Sequence, residues 1–568
     1  MSQGKYHIWT VGCQMNQADS QRVASILDGL GWESAPTMDA ANLIVLNTCS
    51  VREQPERRAH GQLSLLAHAK RRREDMLVAM MGCMIGNQRT LDDLKRRYPV
   101  VDLFFKVENA DILPRFLNER WTPIAGEGCV DFAELGAPRT IGVSGALPVL
   151  PMPLPVVQPG APDAFAAPEP IPALDANALD ALDASGQQDN AEPSGQRKPG
   201  GPMTITPRPA TRELHYPAAN PTFVSAVAES ASPLRGPTAW LPVILGCNKV
   251  CSYCIVPARR GVERSRPVEE LLLEARELVY GGARELTLLG QTVEAYGLDL
   301  PDQHADLGDL MERLSEIDSL ERIRFMTSYP RHMTDKIIRQ MAASPKVCEH
   351  VNIPVQHGDD EVLRRMRRGY TLTEYRALIE RLRGWWPGVS LSTDVIVGFC
   401  GETEDEFQRL LDLLEEVRFD IVHVAAYSPR PGTLAYKWQD DVPLAEKKRR
   451  LHAVEAVQER IGREINAQYL GRVEEVLIEG LQLTDAEQAA GAPPTTNGKP
   501  KPGAGQRQWR GRNRTNKLVF FPATREAGPT GAVVRPGDLV RVEIERTSAW
   551  SLQGRQVAPV AAAAALAR

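Results

Sequence analysis

Apolar residues along the first part of the chain come in short blocks, separated by stretches in which they return every three or four positions. The blocks at 6–11, 43–46 and 76–81 read as strands, with a helix at 17–30 and a basic helix running to about residue 74 between them. This alternation predicts a small parallel α/β sheet. From 134 to 235 the periodicity dissolves into Pro, Ala, Gly and Ser, and too little apolar surface remains to offset the entropy of ordering. That stretch is expected to be a disordered insertion, with transient helix at 174–182. Beyond residue 239 the alternation resumes, with strands at 243–245, 285–289, 323–327, 350–354, 391–398 and 421–427. Helical spacing falls at 268–279, 307–317, 334–341, 359–366, 373–385 and 404–417. About six strand–helix units predict a partial (β/α)6 barrel, whose chemistry belongs at the carboxyl ends of its strands. A helix at 444–469 leads to short strands at 474–478, 518–521, 539–544 and 551–557, spaced for a small OB-like β-barrel. A loop at 483–511, heavy in Gly, Pro, Lys and Arg, interrupts it. The expected domains are 1–133, 134–235, 236–468 and 469–558, with a tail at 559–568.

At 568 residues the chain exceeds one ordinary core, so several domains are required. A formal net charge of −5 gives no global attraction to nucleic acid, and any RNA contact must come from local basic patches. Nine cysteines, without a charged-then-apolar leader or an apolar run long enough to span a bilayer, point to a reducing cytoplasm, no membrane and no disulfides. Nothing in the sequence demands more than a monomer.

The cysteines carry the chemistry. Cys247, Cys251 and Cys254 form a CxxxCxxC pattern directly after the apolar run 240–245. Three thiolates fill three corners of an iron–sulfur cubane and leave the fourth iron open, whereas a structural zinc takes four protein ligands. The competing reading is three incidental buried cysteines. Cys13, Cys49 and Cys83 each stand just past a predicted strand, in Val-Gly-Cys, Asn-Thr-Cys and Met-Gly-Cys. A parallel sheet binds ligands beyond the carboxyl ends of its strands, so these three can converge, although small buried residues capping strands make the same pattern. Arg507, Trp509, Arg510, Arg512, Arg514 and Lys517 interleave cations with an aromatic, which suits phosphate contact and base stacking as well as ordinary solubilising charge. The runs at 70–73 and 364–368 read as solvated helix faces. Cys348 and Cys400 read as small buried residues, Cys129 carries no chemistry, and His7, His60 and His357 read as structural or surface residues.

Together these blocks resemble the radical S-adenosylmethionine methylthiotransferases, most closely their bacterial tRNA-modifying branch. The matching segments are Val-Gly-Cys13-Gln-Met-Asn, Leu-Asn-Thr-Cys49-Ser-Val-Arg-Glu, Gly-Cys83-Met, Cys247 to Pro257 with Arg264-Ser265-Arg266, and Thr287-Leu-Leu-Gly-Gln291. Asp394-Val-Ile-Val-Gly-Phe399, Gly401-Glu-Thr403, Tyr427 to Thr433, Arg514-Thr-Asn-Lys517 and Thr547-Ser-Ala-Trp550 follow, the last two in a domain like TRAM.

The resemblance implies two 4Fe-4S clusters, one on Cys247, Cys251 and Cys254, the other on Cys13, Cys49 and Cys83. It implies S-adenosylmethionine at the first open iron, with Tyr253 against its adenine and Gln291, Asp394 and Gly398 as further contacts; loop packing and helix capping are the alternative roles of these four. The implied substrate is a tRNA bearing N6-isopentenyladenosine just 3′ of the anticodon, methylthiolated at C2, with electrons from a flavodoxin or ferredoxin. Cys400 stands where the family often has Pro, Thr292 and Glu294 replace polar residues of the usual Gln-Asn-Val-Asn block, and His357 sits where Ser is common. The departures leave the cluster cysteines untouched and bear on the substrate side. Rival readings are the same chemistry on threonylcarbamoyladenosine or a ribosomal-protein aspartate, and a non-catalytic zinc and RNA-binding protein.

Overall fold

The computed structural model describes residues 4–49, 53–73, 75–86, 88–121, 236–300, 305–482, 507–523 and 534–559. Met1–Phe132 and Val227–Arg568 belong to one compact unit; a second, Ala133–Ala226, lies outside the described residues, as do nearly all of the expected insertion and the terminal tail. Among the described residues no helix is long and apolar enough to cross a membrane.

The amino-terminal domain runs β1 (Lys5–Thr10), α1 (Gln14–Gly29), β2 (Glu33–Ser34), β3 (Leu43–Thr48), α2 (Glu53–Lys70), β4 (Leu77–Gly82), α3 (Gln88–Arg97), β5 (Leu103–Phe104) and α4 (Ile112–Arg120). Its strands form one parallel sheet in the order β2-β1-β3-β4-β5. Leu43, Val45, Ala79 and Met81 enter one core while Ile44, Leu46, Val78 and Met80 enter another. Burial on both faces is why these strands read as continuous apolar runs rather than alternating ones.

The barrel follows as β6 (Thr238–Pro242), β7 (Ile244–Leu245), α5 (Val256–Arg260), β8 (Arg264–Ser265), α6 (Val268–Tyr280), β9 (Glu285–Leu289), α7 (Leu307–Ser315), β10 (Arg322–Met326), α8 (Asp335–Ala343) and β11 (His350–Asn352). It continues through α9 (Asp360–Arg365), α10 (Leu372–Trp385), β12 (Ser390–Val397), α11 (Glu404–Val417), β13 (Ile421–Ala426) and α12 (Leu444–Ala467). Six parallel strands form two arcs, β6-β9-β10 and β11-β12-β13, bridged where Ser328 N donates to Asn352 O at 3.2 Å. Reciprocal caps, Thr371 with Glu374 and Thr403 with Glu406, fix the starts of α10 and α11. One expectation is corrected. The first barrel strand is β6, and the segment expected to be that strand, 243–245, instead contributes β7 to a two-stranded ribbon with β8. The cysteine loop therefore leaves from the ribbon.

The last domain is a closed barrel, β14-β15-β16-β18-β17, of β14 (Val473–Gln482), β15 (Gln508–Asn513), β16 (Leu518–Pro522), β17 (Leu539–Thr547) and β18 (Ser551–Pro559). Val476, Ile478, Val519, Phe521, Val540, Val542, Ile544 and Leu552 fill it. Residues 508–511, assigned to the loop from the sequence, are part of strand β15. Residues 483–506 of that loop lie outside the described residues.

The turn after β15 docks on the amino-terminal end of the large barrel. Arg322 and Arg324 share one face of β10; Arg322 donates to Arg512 O at 2.8 Å and Arg324 to Asn513 O at 2.7 Å. In return Arg514 donates to both Glu349 oxygens, at 2.8 and 2.7 Å, and to Val347 O and Pro345 O, while Lys517 pairs with Asp420 at 2.6 Å. Arg514 and Lys517, expected from the sequence to contact RNA, both hold carboxylates across the joint between the two domains. Arg514→Ala should cost about 1–3 kcal/mol, since it strands a partly exposed Glu349 and two carbonyls. Thermal unfolding of the whole protein should show the loss, and an unchanged melting temperature would count against this anchoring role.

Candidate functional site

Cys13, Cys49 and Cys83 sit just beyond the carboxyl ends of β1, β3 and β4, and the local sequence shows how. Asn16 Oδ1 lies 3.4 Å from the Cys13 thiol, while its Nδ2 donates to Asn47 Oδ1 at 2.9 Å and to Thr48 O at 3.1 Å. Asn47 Nδ2 answers to Asn16 O at 2.6 Å and Ser20 Oγ at 2.9 Å. Both amides are fully buried, so each bond also avoids the cost of an unsatisfied polar group. The Asn of Gln-Met-Asn and the Asn of Leu-Asn-Thr therefore lock the Cys13 turn to the Cys49 turn. The preceding glycines complete the cage. A Cβ on Gly12 would lie 2.8 Å from Cys49 Cβ, and one on Gly82, at φ +100°, would lie 2.2 Å from Thr48 O.

The three thiols communicate. A hydrogen bond from Cys49, with help from the Arg260 guanidinium, pulls the Cys83 thiol below its ordinary range despite its burial. Burial raises Cys13, and Arg260 acts against that rise. Cys247 and Cys254, which interact with Cys251, are pushed up by burial to about 11 and about 12 respectively. Holding a cluster would require these thiols as thiolates, so loading would release protons and be favoured by alkaline pH.

Arg368 was missed from sequence. It falls in the basic run read as a solvated helix face, yet its guanidinium is buried and donates 3.3 Å to Cys251 Sγ, 3.4 Å to the Tyr253 hydroxyl and 3.3 Å to Pro354 O. It also lies over the rings of Tyr329 and Tyr370. A cation this close to the Cys251 sulfur offsets the charge that a thiolate there would bring into a buried site. A Gly-Tyr pair directly after an arginine, breaking the helix, is the one sequence signal that could have set it apart from the run.

Of the expected cofactor contacts, Tyr253 packs edge-on to Phe399 at 6.3 Å, and Gly398, at φ +69°, turns the chain into Phe399. Gln291 lies half-buried just past β9. Asp394 lies in the middle of β12 rather than at a strand end, with Oδ2 accepting from Asn352 at 3.3 Å. Trp509 packs against the small barrel's core, Arg510 and Arg512 both face Glu479 at 3.6 and 3.3 Å, and Arg507 is exposed at the start of β15. Cys348 and Cys400 are buried elsewhere, as is His357 beside Glu402.

The two cysteine loops belong to one region. Met15 and Ala18 of α1 pack on Leu289, with Leu245, Met326 and Cys13 beside them, which sets the amino-terminal trio over the carboxyl ends of β9 and β10. Arg260, six residues past Cys254, pairs with Asp19 at 3.3 Å and reaches Cys83. The donor sets suit cubanes. Each trio supplies three thiols, the number that fills three corners of a cubane and leaves one iron open, whereas a structural zinc takes four protein ligands.

Two family models match the chain: the radical SAM superfamily over residues 241–414 and the uncharacterized protein family UPF0004 over residues 5–106. A tRNA-2-methylthio-N(6)-dimethylallyladenosine synthase of Herpetosiphon aurantiacus is 36% identical over 562 residues, covering 98% of this chain and 98% of the relative. The synthase of the same name from Chloroflexus aurantiacus is 36% identical over 555 residues, covering 97% and 91%, and that from Dictyoglomus thermophilum 35% over 556, covering 98% and 99%. Similarity at this level from end to end, on a chain with two three-thiol sites at one barrel mouth, places the protein in the radical S-adenosylmethionine superfamily, in the family of tRNA-2-methylthio-N(6)-dimethylallyladenosine synthases.

Proposed function

We propose that this protein is a transferase that replaces the C2 hydrogen of N6-isopentenyladenosine, just 3′ of the tRNA anticodon, with a methylthio group. The observation that carries this reading is near-complete coverage of synthases named for methylthiolation of that nucleoside by a chain that carries both cysteine trios. Two 4Fe-4S clusters and S-adenosylmethionine, when bound, supply the radical that removes an unactivated C–H hydrogen, the sulfur and its methyl group.

The residues divide the work. Cys247, Cys251 and Cys254 would hold the cluster that meets S-adenosylmethionine, with Arg368 balancing charge at Cys251, and Tyr253, Gln291, Asp394 and Gly398 bordering the cofactor. Cys13, Cys49 and Cys83 would hold the sulfur-supplying cluster. Their task is placement, since two reactive centres must reach the same base carbon and a fixed geometry replaces improbable encounters. The small barrel reads as a TRAM domain that contacts RNA through Arg507, Trp509, Arg510 and Arg512, Trp509 offering a stacking surface. A cytoplasmic monomer drawing electrons from a flavodoxin or ferredoxin completes the proposal.

The test is nucleoside mass spectrometry of tRNA from a strain lacking the gene. The methylthio-isopentenyl nucleoside should vanish and its unthiolated precursor accumulate. An unchanged level would overturn the reading, and loss of methylthio-threonylcarbamoyladenosine instead would move the activity to the other tRNA target.

A further inference from the structure

We infer that Arg260 is a positioning residue that holds the amino-terminal trio over the barrel mouth and serves as the fixed counter-charge of its cluster. The inference rests on the proposed cluster at Cys13, Cys49 and Cys83 and adds a residue to it.

Arg260 is rigidly tied to the other cysteine loop. It ends α5, the short helix that follows Cys254, and Cys247 N donates 3.0 Å to O of the next residue, Gly261. Any movement of the CxxxCxxC loop therefore carries the base of Arg260 with it. Its side chain crosses into the amino-terminal domain, where it is only 13% exposed. There the guanidinium pairs with Asp19, itself 7% exposed, at 3.3 Å, hydrogen-bonds Cys83 and acts on Cys13. Arg259 docks beside it: a Cβ on Gly86 would lie 2.0 Å from Arg259 Nη1, so its guanidinium rests against the loop after Cys83. Two consecutive arginines from one cysteine loop thus seat against the loop that carries a cysteine of the other.

Charge explains why arginine suits this place. A cluster on three thiolates is anionic, and a sulfur anion at its open iron adds to that charge. A buried cation favours the more negative, reduced state, so its removal makes reduction harder. Guanidinium stays charged at any working pH, and its fork can serve a carboxylate and a sulfur together. Asp19 orients the fork.

The experiment uses the full chain carrying Cys247→Ala, Cys251→Ala and Cys254→Ala, reconstituted without oxygen so that only the amino-terminal cluster forms. Its reduction is followed by electron paramagnetic resonance during a redox titration. Arg260→Gln should move the midpoint to more negative potential, and Arg260→Lys, which keeps the charge, should recover most of the shift. In the protein with all cysteines, Arg260→Gln should lower methylthio product formed per 5′-deoxyadenosine at least tenfold. An unchanged midpoint and product ratio in Arg260→Gln overturns the inference. If Arg260→Gln takes up no cluster, loading restored by Arg260→Lys supports the counter-charge, and no loading in either variant reduces Arg260 to a packing residue and overturns it. If the triple-cysteine background itself holds no iron with Arg260 intact, the amino-terminal cluster is wrong and the proposed function falls first.

Discussion

Cys251→Ala should reduce S-adenosylmethionine cleavage to background, whereas Cys49→Ala should leave 5′-deoxyadenosine formation measurable and stop methylthio product. The structure supports this separation. Cys251 lies in the barrel's own loop, with Arg368 at its sulfur and Tyr253 two residues on, and none of those groups comes from the amino-terminal domain. Cys49 directly follows β3, beside the amide ladder of Asn16 and Asn47, and its sulfur meets Cys83. On the proposed ligand sets, alanine at either position removes a ligand and not merely its support. Since losing groups around a metal ligand typically costs 10–100-fold, losing the ligand itself should cost more than about 100-fold in the step that it serves. Reaction products quantified with tRNA substrate, beside iron and sulfide analysis, check both halves. Equal loss of cleavage and sulfur insertion in folded Cys49→Ala protein would refute separate roles for the trios.

The site was legible where its chemistry is local and faint where it is built from contacts. CxxxCxxC is a spacing, and a cysteine after each of three strands follows from sheet topology, so both trios stand out in the sequence as candidates. Arg260, at the end of a short helix, and Arg368, just past one, do not, because basic residues in such places look solvated until tertiary packing buries them. β15 escaped for a different reason. Its inward positions include Gly511 and Asn513, while Arg510 and Arg512 stay partly exposed, so the two-residue alternation exists without an apolar signal. The ion pairs of Arg514 and Lys517 were equally invisible, since the carboxylates that hold them, Glu349 and Asp420, lie about a hundred residues or more away in sequence. α3 and α4 went unread in a segment where the strands drew attention.

Gly82→Ala should strip the amino-terminal cluster while leaving the barrel cluster loaded. Gly82 pairs with Thr48 in the β3–β4 register, and Cys83 N donates to Thr48 O at 2.8 Å. A methyl group there would lie 2.2 Å from that carbonyl oxygen and 2.6 Å from Asn47 Oδ1, so it meets backbone and a buried amide, neither of which can swing aside. The φ of +100° adds strain for any L side chain. Overpacking and strain each contribute roughly 1–3 kcal/mol, and relief requires parting the strands that set the Cys49–Cys83 spacing. The expected result is protein holding about half the iron and sulfide of the parent, with a lower melting temperature and persistent S-adenosylmethionine cleavage. Gly29→Ala is the control, because nothing lies within 4 Å of its added Cβ at the end of α1. Full iron content with an unshifted melting temperature in Gly82→Ala would mean that the cage does not depend on this close approach, and the account of how Gly-Cys pairs shape the site would have to be abandoned.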